Sequence, residues 1–210
     1  MYREFGEGEN INCMFSFLIN LLLGFVSYIL VSWPREILRA VFSKFTLKNF
    51  YLSLGVLNPI RYVDPVGFLS FAFFDFGWTR APFVDYPKSK RRELVTYSLY
   101  GILSSFSLFL LYGVLARMLL NTKYFKVFYD AAKWSLTYAI VSLFPLPPLD
   151  GSRALLGLLP SKYYEWYLKF NFYGILFMIG LLILWIFPMI MRPFISVISN
   201  VTKFIVFGNW

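Results

Sequence analysis

The amino-acid sequence predicts an all-α polytopic membrane protein, one integral membrane domain over residues 1–210. Composition is the first observation: 59% of the residues are hydrophobic and only 15% are charged, whereas a soluble domain carries about 25% charged residues. The second is a set of charge-free runs near the ~20 apolar residues that a helix needs to cross the hydrocarbon core. Zero histidines and one cysteine also exclude histidine-dependent catalytic triads, histidine-ligated metals and intrachain disulfides.

Four apolar runs predict spanning helices. Residues 11–33, 94–116 and 170–191 carry no charge. The fourth span covers residues 124–149, where a proline-rich stretch ends the helix. The run at 11–33 is too long for the apolar part of a signal peptide and has an acidic flank, so we interpret it as a retained helix.

Two further apolar regions are less regular. Residues 50–78 contain Pro, Gly and Asp, which predicts a re-entrant or interfacial segment that enters and leaves on one side. Residues 193–208 are interrupted by Lys203, which favours a surface helix or a partial crossing. The expected total is therefore about four to six transmembrane or re-entrant segments.

Lysine and arginine set the predicted orientation. If the loop after the first helix is cytoplasmic, most of the 20 basic residues fall inside and the acidic N-terminus lies outside. We therefore expect a multi-pass protein of the cytoplasmic membrane, whose partners include the lipid bilayer and no nucleic acid. One basic cluster precedes the 94–116 helix and can contact anionic lipid headgroups: Lys88, Lys90, Arg91 and Arg92.

One motif stands out at the end of the 124–149 span. There Ser142-Leu-Phe-Pro-Leu-Pro147-Pro-Leu-Asp150-Gly151 places an ionisable residue directly after an apolar helix. An ionisable residue near membrane depth indicates a functional site. The alternative is a proline-broken helix end followed by an ordinary turn, in which Asp150 caps the next segment.

This motif resembles the Leu-Asp-Gly motif of the site-2 protease family (peptidase family M50, compact bacterial and archaeal type). Three more segments resemble that family in the same order: Asn58-Pro59 to Gly67, Phe76-Gly77-Trp78 to Val84, and Arg91-Arg92 to Ser105. The resemblance implies a site-2-protease-like helical core, built to admit a transmembrane helix of another protein. It also implies that Asp150 stands where the family has its third zinc ligand.

The zinc site of the family is degenerate in this sequence. The family carries His-Glu-x-x-His, in which two histidines bind Zn²⁺ and the glutamate is the general base. The matching place here reads Arg35-Glu36-Ile-Leu-Arg39, so Glu36 and Asp150 are vestigial catalytic positions. Arginine is protonated and cannot ligate zinc. We therefore expect no metal and no cofactor, with zinc only if unusual ligands serve.

A charge count suggests what replaces the metal. Two guanidinium groups carry the charge of one Zn²⁺, so we hypothesise that Arg35 and Arg39 form a salt-bridge network with Glu36 and Asp150. The alternative is that both arginines extend to the cytoplasmic interface as ordinary basic residues. The sequence also departs from the family at Ser105 and Ser142, where the family has asparagines.

Three functions remain open. The first is a non-catalytic pseudoprotease that binds or scaffolds a membrane partner, or is a subunit of a membrane complex. The alternative is an active intramembrane zinc metalloprotease that cleaves transmembrane substrates, and the third is an ion- or proton-transport subunit. Small residues allow a partner helix to approach closely, although internal packing explains them equally well. The partner-helix or motif positions are Gly101, Ser104, Ser105, Ser142, Pro147 and Gly151.

Overall fold

The computed structural model describes residues 7–46, 57–80 and 91–208, and these residues form helices and no strands. The α-helices are α1 (Glu7–Thr46), α2 (Pro65–Phe74), α3 (Arg91–Met118), α4 (Phe125–Val141), α5 (Asp150–Leu158), α6 (Tyr164–Ile183) and α7 (Ile186–Phe207). Four of them, α1, α3, α6 and α7, are long and apolar enough to cross a membrane. The predicted class, an all-α polytopic membrane protein, is confirmed.

The helix bounds differ from the predicted spans at two places. The single helix expected over residues 170–191 is divided, because α6 ends at Ile183 and α7 begins at Ile186. Trp185 lies between them with a φ of 60°. Residues 193–208 accordingly belong to a full-length α7 rather than to a separate short segment. In the 124–149 span, the α-helix stops at Val141 and turns follow.

Helix α3 is central to the packing, since it lies against α1, α4, α5 and α7. The larger core cluster joins the first four helices and α7 through Tyr28, Phe71, Phe109, Leu136 and Ile198. A second cluster packs α6 and α7 against the loops that flank α2 and α5. The two clusters together join α1, α2, α3, α4, α6 and α7.

The segment around α2 leaves and returns at one place. Asp64 begins α2 by accepting a hydrogen bond from the backbone N–H of Gly67 at 2.9 Å, and the helix ends at Asp75 with a φ of 62°. The chain then runs back until the N–H of Arg80 donates to the Tyr62 carbonyl at 3.0 Å. This return brings Thr79 beside α1. Residues 50–56 of the predicted re-entrant region lie outside the described residues.

Candidate functional site: a buried ion cluster

Helix α1 presents three charged side chains to the interior. Arg35 and Arg39 are four residues apart and therefore share one helix face, with Glu36 beside them. The three residues are 2%, 0% and 0% exposed for Arg35, Glu36 and Arg39. Charged groups this deeply buried need partners, because an unpaired charge in an apolar interior is very costly.

The two arginines bind both carboxylates of the site. Arg39 donates from Nη1 to Oε2 of Glu36 at 3.3 Å and from Nη2 to Oδ2 of Asp150. Arg35 donates from Nη1 to Oε1 of Glu36 and from Nη2 to Oδ2 of Asp150, the latter at 2.6 Å. The structure thus brings together the four residues of the predicted network, from two helices more than 100 residues apart in the chain.

Three hydroxyl groups complete the coordination of Arg35. Ser105 accepts from Nε at 2.6 Å, Ser142 accepts from Nη2 at 3.0 Å, and Thr79 accepts from Nη1 at 2.7 Å. Thr79 in turn donates to Oε1 of Glu36 at 2.6 Å. A guanidinium has five N–H donors, and each donor of Arg35 has an acceptor within the protein.

Asp150 begins α5 and is the centre of the cluster. Its Oδ2 accepts from the first two arginines, and its Oδ1 accepts from Arg153 Nη1 at 2.7 Å. Burial raises the pKa of this carboxyl, but the guanidinium groups of Arg39, Arg35 and Arg153 outweigh burial, so the pKa lies well below its usual range. Asp150 is therefore ionised. Three guanidinium groups therefore contact the carboxylates of Glu36 and Asp150.

The motif around Asp150 is shaped by close backbone approaches. The N–H of Gly151 donates to the Ser142 carbonyl at 2.7 Å, and a Cβ at Gly151 would lie 2.5 Å from the Leu143 carbonyl oxygen. Pro147 packs against α6, where a Cβ at Gly174 would lie 2.6 Å from its Cγ. Glycine at 151 therefore allows the turn that sets Asp150 beside the end of α4.

The small residues of α3 face inward. Gly101 lies against Arg39 and Asp150, while Ser104 and Ser105 are each 0% exposed. Within the chain, these positions pack against this protein's own residues, and their contact with an external partner helix stays a prediction. Among the predicted headgroup residues, Arg92 is exposed; Lys88, Lys90 and the Arg91 side chain lie outside the described residues.

Sequence reasoning missed two members of the cluster. Thr79 lies within the Phe76-Gly77-Trp78 segment, and Arg153 lies three residues after Asp150. The i, i+3 spacing of Arg153 is a signal for a helical ion pair once α5 is assigned. Nothing in the sequence pairs Thr79 with α1, because that contact depends on the return of the chain after α2.

The residues of this site do not fit a zinc ion. Within residues 7–46, 57–80 and 91–208, no three His, Cys, Asp or Glu side chains come together to hold a metal. Glu36 and Asp150 supply carboxylates, but guanidinium groups engage both. Zinc sites use neutral or anionic donors, and two arginines beside the same oxygens repel a dication.

Comparison with curated proteins gives a partial match. The chain is 33% identical over 116 residues to a protein of Bacillus subtilis (strain 168) named "Putative zinc metalloprotease YwhC". The matched region covers 50% of this chain and 53% of that protein, so the chain spans about half of that relative's length. No protein-family model matches the chain, and no solved structure matches it. The similarity to a metalloprotease agrees with the resemblance of the motifs and does not bear on the two arginines.

Proposed function

We propose that this chain is a non-catalytic, site-2-protease-like membrane protein that binds or scaffolds a membrane partner. The observation that carries the proposal is the pairing of Glu36 and Asp150 with Arg35 and Arg39. These are the positions at which the resemblance expects a metal and its general base. The matched relative, a zinc metalloprotease by name, supports only the part of the proposal that relates this chain to metalloproteases.

Glu36 is poorly arranged for base catalysis. A general base must reach the proton that it abstracts, directly or through one water molecule. Glu36 is 0% exposed, and its two oxygens accept from Arg35, Arg39 and Thr79. These contacts support a site that holds structure rather than one that activates water.

The second candidate is an active intramembrane metalloprotease, which the similarity to a zinc metalloprotease favours. It requires metal ligands beyond those of the described residues, for example from a partner chain. Transport of ions or protons is a third candidate. It requires charged groups that change partners, whereas each donor of Arg35 is already bonded within the protein.

The test is purification of the full chain from native membranes in mild detergent, followed by elemental analysis and identification of co-purifying chains. We expect zinc far below one per chain, and a defined complex with one membrane protein that survives re-purification with either chain tagged. About one zinc per chain would overturn the proposal, as would cleavage of a transmembrane substrate that Glu36→Gln abolishes. A chain that purifies alone, without zinc, would contradict the proposed binding to a membrane partner.

A further inference from the structure

We infer that Gly101, Ser105 and Ser142 form a fitted seat for the Arg35–Arg39 pair, so that the site is closed permanently from within and without a metal. This seat is the set of three residues from α3 and the end of α4 that contact the two guanidinium groups. The inference deepens the proposed function and rests on it for its biological meaning. It states that the arginines are an intramolecular ligand that no metal or incoming peptide displaces.

Gly101 is the steric half of the seat. A Cβ at this position would overlap Nη2 of Arg39 and lie 2.5 Å from its Cζ and 2.6 Å from Oδ2 of Asp150. Glycine in a helix interior costs about 1 kcal/mol relative to alanine, so its presence in α3 needs a local reason. The Arg39–Asp150 ion pair supplies that reason, since it passes directly over the bare backbone.

Ser105 and Ser142 are the hydrogen-bonding half. Both accept from the guanidinium of Arg35, at 2.6 and 3.0 Å, from two different segments. Both are buried, at 0% and 5% exposure. A hydroxyl is short enough to leave room for the guanidinium and still satisfies its N–H donors, whereas a longer side chain would compete for that volume.

Three of the departures from the family pattern therefore meet at one group. Position 35 and positions 105 and 142 depart together, and the structure joins all three through Arg35. Residues that share one guanidinium in a close-packed interior are energetically coupled. We treat the residues at positions 35, 105 and 142 as one linked replacement. The large guanidinium of Arg35 on α1 requires small side chains at Ser105 on α3 and at Ser142, directly after α4.

A closed seat also limits where a partner binds. Reaching Asp150 requires breaking its bonds to Arg35 and Arg39, which leaves a buried charge unpaired at high cost. A partner therefore binds outside this cluster, and metal loading does not switch the site. Replacing both arginines by histidine is not expected to restore a metal centre on its own. Gly101, Ser105 and Ser142 would still have the size and the hydrogen-bonding groups that suit arginine.

The test is a double-mutant cycle between Gly101→Ala and Arg39→Ala, read as the melting temperature of the purified full chain in detergent. Gly101→Ala alone is expected to lower Tm by ~5–10 °C, since a methyl group meets the ion pair. In the Arg39→Ala background, which leaves two guanidinium groups against two carboxylates, the same change should cost ~2 °C or less. The methyl group then occupies the space that the guanidinium vacates.

Gly24→Ala is the matched control, because nothing lies within 4 Å of a Cβ there, and it should leave Tm unchanged or raise it. If Gly101→Ala does not yield folded protein, recovery of folded protein in the double variant is the same result. Additive effects, or a harmless Gly101→Ala, would overturn the inference.

A serine pair tests the hydrogen-bonding half. Ser105→Ala should lower Tm by ~3–6 °C, whereas Ser104→Ala, whose hydroxyl donates to the Tyr100 carbonyl on its own helix, should change it by ~1 °C or less. Equal effects would contradict the seat. Because neither test measures zinc or a partner, the seat and the proposed function can fail independently.

Discussion

At the residue scale, the arginines of α1 illustrate how a buried charge is tolerated. Arg35 uses all its donors on two carboxylates and three hydroxyl groups, so the cost of desolvation is offset by charge-assisted hydrogen bonds. Tyr97 adds an aromatic ring 5.0 Å from Cζ of Arg39, a favourable cation–π distance. Lysine offers one nitrogen and could not reproduce this pattern.

The first prediction concerns Asp150. Asp150→Asn leaves three guanidinium groups against one carboxylate in a buried cluster, and we expect it to lower the free energy of unfolding by about 3–5 kcal/mol. Denaturant or thermal unfolding in detergent measures the loss. Asp75→Asn is the matched control, because Asp75 is exposed and its left-handed backbone suits asparagine. Equal stability of the two variants would refute the network.

The sequence anticipated part of this cluster. The charge count over Arg35, Arg39, Glu36 and Asp150 needed only the motif order, and the structure places these four groups in contact. The role of Gly101 was not predictable. A glycine on α3 fits an external helix or an internal one equally well, and only the path of the Arg39 side chain decides between them.

At the element scale, the α2 segment shows how a short excursion positions one hydroxyl. Gly67 of α2 and Gly77 of the returning chain approach each other so closely that a Cβ on either meets the backbone carbonyl of the other segment. The Tyr28 hydroxyl donates to the Trp78 carbonyl at 2.7 Å and so anchors the return to α1. Thr79, the next residue, then reaches Glu36 and Arg35.

The second prediction follows from this contact. Gly67→Ala places a methyl group against the Trp78 carbonyl, which is backbone and cannot rotate away, so we expect a loss of about 2–4 kcal/mol in unfolding free energy. Gly180→Ala, within α6, has no atom within 4 Å of its Cβ and should be neutral or slightly stabilising. A neutral Gly67→Ala would show that the two segments are not in contact.

The division between α6 and α7 marks what sequence reasoning could not supply. Residues 170–191 carry no charge, and Leu184 and Trp185 at the break are neither Gly nor Pro. Hydropathy detects apolar length but not the point at which a helix ends, so the sequence predicts one helix where the structure has two. Tertiary packing surrounds the break, since Phe74 contacts Trp185 and Phe76 contacts Phe187.

At the scale of the whole molecule, the ion cluster links helices that are far apart in the chain. It connects α1 to α5 directly and reaches α3 and the chain after α2 through hydroxyl groups. Guanidinium groups belong to the chain, so this cross-link does not dissociate on dilution or chelation. We therefore expect the stability of the fold to be independent of metal ions.

The third prediction tests whether stability is independent of metal ions. The Tm of the detergent-solubilised chain should change by ~1 °C or less when EDTA is added in excess, and again when Zn²⁺ is then restored, because the proposed metal-free cluster leaves no metal-binding free energy linked to folding. The measurement is a thermal scan under the three conditions. A fall of several degrees with EDTA that Zn²⁺ reverses would show that a metal contributes to the folded state.

The last prediction concerns the orientation of the protein in the membrane. The ion cluster fixes the second half of α1, Gly101 of α3 and the start of α5 at one level. From Gly101, α3 rises ~1.5 Å per residue toward Met118, about 26 Å away, so the α3–α4 connection lies at the opposite side. Because basic residues concentrate at the cluster side, that side should be cytoplasmic and the N-terminus outside.

Cysteine labelling distinguishes the two orientations. In a Cys13→Ser background, Asn121→Cys lies in the α3–α4 connection and Leu158→Cys lies at the end of α5, and both native residues are exposed. A membrane-impermeant maleimide should label Asn121→Cys in intact cells and Leu158→Cys only after permeabilisation. Because neither substitution alters a charged residue, the pattern reports the orientation that the native charges impose. The reverse pattern would place the basic side, and with it the ion cluster, toward the outside, contrary to the distribution of lysine and arginine.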